Sequence, residues 1–175
     1  HPETFDMHIK VLKQYFDIMS LEDWVEIVKS GKKPPKRACA ITFDDGWLDN
    51  YEYALPIIQK HNIPTTLFAV EGMIGTKQNF WPNRVAKLLA TLQLDNNDTK
   101  ALQWMGEPAL KCLRSDLPFK EQAAQVISQL KTFDDAYILE NMTKIEAIFK
   151  IQTDQAPQLM SWEQLNEMHH SGLVN

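Results

Sequence analysis

No stretch of this sequence approaches the roughly 20 consecutive apolar residues that a membrane-spanning helix needs. The opening His1-Pro2-Glu3-Thr4-Phe5 lacks the charged and then apolar plan of a signal peptide. Cysteine is scarce, and two residues are too few for a disulfide framework. Cys39 lies in an apolar run where a buried free thiol is expected, and Cys112 falls in a helical pattern where pairing is not expected. Excess positive charge is missing too: a net charge of -5 excludes broad electrostatic binding to nucleic acid or anionic lipid. The chain does not open on Met, which allows for a removed upstream segment, and nothing in it reads as a compartment signal.

What is present is an ordinary globular composition. Apolar residues make up 44% and charged residues 23% of 175 residues, enough to bury a core in one domain or in a piece of a larger one. The one basic cluster, Lys29, Lys32, Lys33, Lys36 and Arg37 around Pro34 and Pro35, reads as a solvated loop between a helix and a strand.

Apolar spacing places the elements. Thr4 is positioned to cap a helix carrying Phe5, Ile9, Leu12 and Phe16, and Ile18-Met19 reads as a short strand. Ser20 caps a second helix over Leu21 to Ser30, with Trp24, Ile27 and Val28 on one side and Gly31 to stop it. The run Ala38 to Phe43, closed by Asp44-Asp45-Gly46, suits a strand buried on both faces of a parallel sheet. A helix over Asn50 to His61, ended by Asn62, leads to a strand over Thr65 to Val70. Strand, helix and strand in this order make a crossover unit whose two strands leave their loops at one end of the sheet, the end where ligands bind in such folds.

Helical patterns then follow at Trp81 to Leu92, Ala101 to Leu113, Phe119 to Leu130 and Tyr137 to Phe149, with polar breaks at Asp95 to Asp98 and Gln152 to Gln158. Ser161-Trp162-Glu163-Gln164 is a capping box opening a last helix that Gly172 closes, and Leu173-Val174-Asn175 reads as the start of a strand. A buried strand needs partners for its backbone groups, so the sequence is expected to be incomplete at its C-terminus. The expected division is 1–75, a helical insertion over 76–156, and a return over 157–175.

The chemistry-bearing motif is Thr42-Phe43-Asp44-Asp45-Gly46. Successive strand residues point to opposite faces, but a turn beginning at Gly46 lets both carboxylates line one pocket. Two negative charges that close repel unless a cation intervenes, and a divalent metal answers that problem. With one carboxylate on the metal and the other nearby as a base, the pair suits amide or ester hydrolysis. On spacing alone, a plain loop with a capping Asp is equally consistent with the motif.

The segment Ile41 to Asn50, with Ala54-Leu55-Pro56-Ile57-Ile58 and Ile63-Pro64-Thr65-Thr66-Leu67-Phe68, closely resembles the first motif block of the polysaccharide deacetylases, carbohydrate esterase family 4. Leu159 to Met168 with Ser171 to Val174 resembles the stretch before that family's second block, and Thr4 to Ser30 its lead-in. The resemblance implies an α/β fold, an irregular (β/α) barrel incomplete at the C-terminus and bearing a helical insertion. It implies Asp44 as the catalytic base and Asp45 as a metal ligand, with zinc as the divalent cofactor. It also implies two histidine ligands and a histidine acid beyond Asn175, so the 175-residue chain alone is expected to be inactive and to hold metal weakly.

The activity implied for the whole protein is removal of N-acetyl groups from an amino-sugar polysaccharide or oligosaccharide, in the cell envelope or outside the cytoplasm. An O-acetyl glycan esterase uses the same machinery. A non-catalytic carbohydrate-binding or assembly protein is the alternative of another class, and phosphatases space their aspartates differently. His169 and His170 are adjacent on a helix, about 100° apart in direction, and read as a helix-end pair. His1, His8 and His61 are likewise unassigned. Asp49 is read as a cap for the helix at Asn50, and Trp47 as a groove wall or a packing residue. Phe80 and Trp81 are read as helix-packing residues, and Met160, Trp162 and Met168 as core.

Overall fold

The computed structural model describes residues 1–92, 100–151 and 158–175. The polar break at Asp95 to Asp98 lies outside the described residues, as does all of the second break except Gln158. The chain divides into two compact units, the first holding His1–Gln78 and the C-terminal stretch ending at Asn175, the second beginning at Asn79.

In the first unit, helix α1 (Pro2–Tyr15) begins earlier than Thr4 would have it: Pro2 sits in the first turn, where its missing N–H is no loss. Strand β1 (Asp17–Ile18) follows, then α2 (Leu21–Lys29), whose N-cap Ser20 accepts from the Asp23 N–H at 3.0 Å. No residue of α2 is buried, and Trp24 and Val28 stay partly in solvent.

The run from Ala38 does not form one buried strand. It contributes β2 (Ala38–Cys39) to a parallel ladder with β1 and β3 (Thr42–Asp45) to a second parallel ladder with β4 (Thr66–Ala69). Thr42 and Asp44 are exposed while Phe43 and Asp45 are half-buried, and Cys39 is half-buried too. The apolar run fixes neither outcome, because burial and pairing depend on what lies on each side of the strand. Among the described residues these strands form two small sheets and no closed barrel. The expected strand at Leu173 to Asn175 is an isolated parallel bridge between Val174 and Thr65, with the Thr65 N–H donating to Leu173 O at 2.8 Å and the Leu67 N–H to Asn175 O at 2.8 Å.

Between β3 and β4 the expected single helix is a π-helical turn (Asn50–Ala54) running into α3 (Leu55–His61), which ends on left-handed Asn62. Ile9, Ala54, Ile58 and Ile63 form one small core, with Phe5 and Phe43 against it. Leu55, Met160, Met168 and Val174 form a second. Met168 lies on the last helix, α8 (Trp162–His170), which carries the expected capping box on Ser161 and Gln164.

The described residues of the second unit are helical. They comprise α4 (Trp81–Thr91), a 3-10 turn (Gln103–Met105), α5 (Glu107–Leu113), α6 (Phe119–Leu130) and α7 (Asp135–Phe149). The pattern over Ala101 to Leu113 is broken at Gly106, whose φ of 82° no right-handed helix admits. Val85, Leu88, Leu110, Val126, Ile138 and Met142 share this unit's core, and Trp81 packs against it while donating to Asp135 Oδ1 at 3.1 Å.

Helices α1 and α3 are joined at Asp6, which takes Lys10 Nζ at 2.6 Å, Lys60 Nζ at 2.9 Å and His61 Nε2 at 2.7 Å. The Lys10 contact, then His61 and Lys60, hold the Asp6 carboxyl far below the ordinary aspartate value of 3.8. A carboxyl so depressed stabilises the fold fully above its unfolded pKa, and that contribution is lost as pH falls toward the folded one. Asp6→Asn is therefore expected to lower the melting temperature by a constant amount above about pH 5. The gap should close as both proteins are taken below the ordinary aspartate range, as followed by circular dichroism.

Candidate functional site

The motif sits where β3 ends beside the end of its parallel partner, with Asp44 opposite Phe68 and Asp45 opposite Ala69. Alternation along β3 leaves Asp44 exposed and turns Asp45 inward. The turn then begins one residue earlier than the glycine suggests. Asp45 itself is left-handed, with φ of 70°, and Gly46 follows at 86°. A left-handed non-glycine costs of order 1 kcal/mol, and Asp tolerates it better than most residues.

Local bonds hold this conformation. The Gly46 N–H donates to Asp44 O at 2.9 Å, the Val70 N–H to Asp45 O at 3.3 Å, and the Trp47 indole N–H to Asp45 Oδ2 at 3.2 Å. Trp47 is thus a donor to one of the two carboxylates, a role its sequence position did not suggest. The signal was a Trp two residues beyond an Asp, readable only once Asp45 and Gly46 were known to be left-handed.

The segment before α8 is laced onto the same turn. Met160 N–H donates to Gly46 O at 3.0 Å, Gly75 N–H to Met160 O at 2.9 Å, and Leu48 N–H to Gln158 O at 2.9 Å, while Trp47 bridges Leu159 antiparallel. Met160 is fully buried and Met168 likewise, as expected; Trp162 is not core but 52% exposed, at the first turn of α8. The Tyr51 hydroxyl donates to the Glu167 carboxylate, which pushes the phenol above its ordinary range and ties the π-helical turn to α8.

Asp49 does not cap. It already has right-handed helical angles, and its side chain makes no capping bond, because the helical turn starts at Leu48. His169 and His170 form an edge-to-face pair in the last turn of α8, with His170 Nδ1 2.8 Å from Asn166 O. His61 belongs to the Asp6 contact.

Among the described residues no three His, Cys, Asp or Glu side chains converge to hold a metal ion. Asp45 offers one oxygen donor at a strand end. That is one position of a donor set.

Residues 31–104 match the family described as polysaccharide deacetylase, a span that takes in β2, β3, the turn and β4. The match makes this part of the chain similar to the polysaccharide deacetylases. The chain is also similar to "Putative polysaccharide deacetylase YxkH" of Bacillus subtilis (strain 168), 28% identical over 87 residues, covering 49% of this chain and 31% of that protein. It is similar again to the poly-beta-1,6-N-acetyl-D-glucosamine N-deacetylases of Staphylococcus aureus strains MSSA476 and MRSA252, each 39% identical over 77 residues, covering 43% of this chain and 26% of those proteins. The matches thus span less than a third of these relatives' lengths. No solved structure matches the chain.

Gly46 stands where a side chain has no room. A Cβ there would come within 2.6 Å of Ile74 Cδ1 and would carry the strain of φ at 86°. Gly46→Ala is expected to cost roughly 1–3 kcal/mol in stability through overpacking and strain together, measured as a lowered denaturation midpoint.

Proposed function

We propose that the protein to which this chain belongs is a hydrolase that removes N-acetyl groups from an amino-sugar polysaccharide. The observation that carries the reading is the left-handed Asp45-Gly46 turn at the end of β3, inside the segment that matches the deacetylase family. Relatives whose names specify poly-beta-1,6-N-acetyl-D-glucosamine support the substrate class.

In this reading Asp44, exposed at the strand end, is the base that takes a proton from the water attacking the acetamide carbonyl. One water is consumed, the C–N bond breaks, acetate leaves, and the sugar nitrogen ends as an amine. Asp45, fixed by Trp47 and by its left-handed backbone, is one ligand of a divalent metal, zinc, whose other ligands are not among the described residues. Such a metal, when bound, polarises the carbonyl and stabilises negative charge on its oxygen. The surrounding architecture is an irregular (β/α) barrel, with 1–75 and 157–175 as its parts and 76–156 as a helical insertion.

Replacing Asp44 by Asn keeps the shape and removes the base. In the whole protein, acetate release from an N-acetylglucosamine polymer is expected to fall by about 10²–10⁴-fold, with an unchanged melting temperature. Release at the original rate would refute the assignment.

A further inference from the structure

The two oxygens of the Asp45 carboxylate are not equivalent. Oδ2 accepts the Trp47 indole N–H at 3.2 Å, while Oδ1 has no hydrogen-bond partner among the described residues. One oxygen is held and the other is left to a ligand.

The identity of the donor matters. An indole N–H only donates: it carries no charge, takes up no proton at ordinary pH and cannot itself bind a metal. A lysine or arginine in its place would also fix the carboxylate, but its positive charge would oppose a cation arriving at the same group. Trp47 restrains Asp45 and leaves the whole negative charge of the carboxylate for a cation on the other oxygen.

The indole is in turn placed by its backbone. Trp47 O accepts from the Asn50 N–H at 3.0 Å, and Trp47 bridges Leu159 antiparallel. On either side of that bridge the Met160 N–H donates to Gly46 O at 3.0 Å and the Leu48 N–H to Gln158 O at 2.9 Å. Residues 158–160 therefore hold the stretch of backbone from which the indole reaches Asp45. The carboxylate at the end of β3 is steered from the segment that leads into α8.

We propose that Trp47 is a positioning residue that couples the docking of residues 158–160 to metal affinity at Asp45, its N–H holding Oδ2 so that Oδ1 is the oxygen offered to the metal. The inference rests on the reading of Asp45 as a metal ligand and goes beyond it by naming what sets that ligand's affinity. A carboxylate fixed beforehand loses less freedom on binding than a loose one, and the hydrogen-bond partners of metal ligands commonly govern affinity by tenfold or more. Such coupling is reciprocal. A metal that binds better when the segment is docked must stabilise the docked segment by the same factor.

The test uses the whole protein, freed of metal with a chelator and titrated with zinc chloride against a chromogenic zinc indicator. Trp47→Phe keeps an aromatic ring and deletes the donor. It is expected to weaken zinc binding by about tenfold to a hundredfold, with the melting temperature of the zinc-free protein unchanged. A role confined to packing would leave the zinc affinity of Trp47→Phe at its original value, and that result would overturn the proposal. Reciprocity supplies a readout that needs no variant: zinc should slow amide hydrogen exchange at Leu48 and Met160, the two donors that lace the segment down, and should do so less in Trp47→Phe. Exchange at these amides that is indifferent to zinc in the unaltered protein would overturn the proposal whatever the variant's stability. Asp45→Asn separates this inference from the reading beneath it. Undiminished zinc affinity in Asp45→Asn would end the assignment of Asp45 as a ligand; loss of affinity there, with Trp47→Phe unaffected, would end the role of Trp47 alone.

Discussion

Two consecutive left-handed residues, Asp45 and Gly46, are the constraint on which the first unit turns. A strand that simply ran on would carry its side chains to alternating faces and away from the partner strand's end. Reversing the backbone at Asp45 swings the chain back at once, so Trp47 returns over the carboxylate it follows and Ile74 packs into the space a side chain at residue 46 would fill. The strain at Asp45 is of order 1 kcal/mol, comparable to one net hydrogen bond. Three such bonds, from Gly46, Trp47 and Val70, converge on Asp44 and Asp45.

Those bonds would still leave a surface turn free to rearrange if nothing backed it. The backing comes from a segment far along the chain. Met160 both accepts and donates, joining Gly46 to Gly75, while its side chain fills the small core with Leu55, Met168 and Val174. Helix α8 thereby becomes part of the turn's support, and the Tyr51–Glu167 contact adds a second strut to the π-helical turn. A π-helical turn carries one extra residue per turn, which is often found near functional sites; here it lies just beyond the Asp45-Gly46 turn.

Much of this was legible from local signals. Ser20 and the Ser161–Gln164 box act as caps because the donors they serve are a fixed three residues away. Asn62 ends α3 and α6 spans Phe119–Leu130 for reasons equally local. The parallel pairing of β3 with β4 followed from the intervening helix. What sequence could not supply was decided across space. The Ala38 to Phe43 run is apolar enough for a central strand, but its halves serve different ladders. Trp162 is hydrophobic and still lies outside the core, half of it in solvent at the opening of α8. Asp49 has a capping residue's chemistry and none of its geometry, because the helical angles begin before it.

The same distinction bears on the two aspartates. They are identical in chemistry and adjacent in sequence, so any division of labour between them has to come from their surroundings, as it does for paired carboxylates generally. Asp44 keeps ordinary strand geometry and faces solvent; Asp45 is turned inward, left-handed and held through one oxygen by an indole N–H. A proton acceptor must meet water, whereas a ligand gains from having its oxygens fixed beforehand, since each frozen rotation spared on binding adds to affinity. The proposed roles therefore follow the asymmetry of the turn: the exposed carboxylate exchanges protons, and the fixed one holds its place.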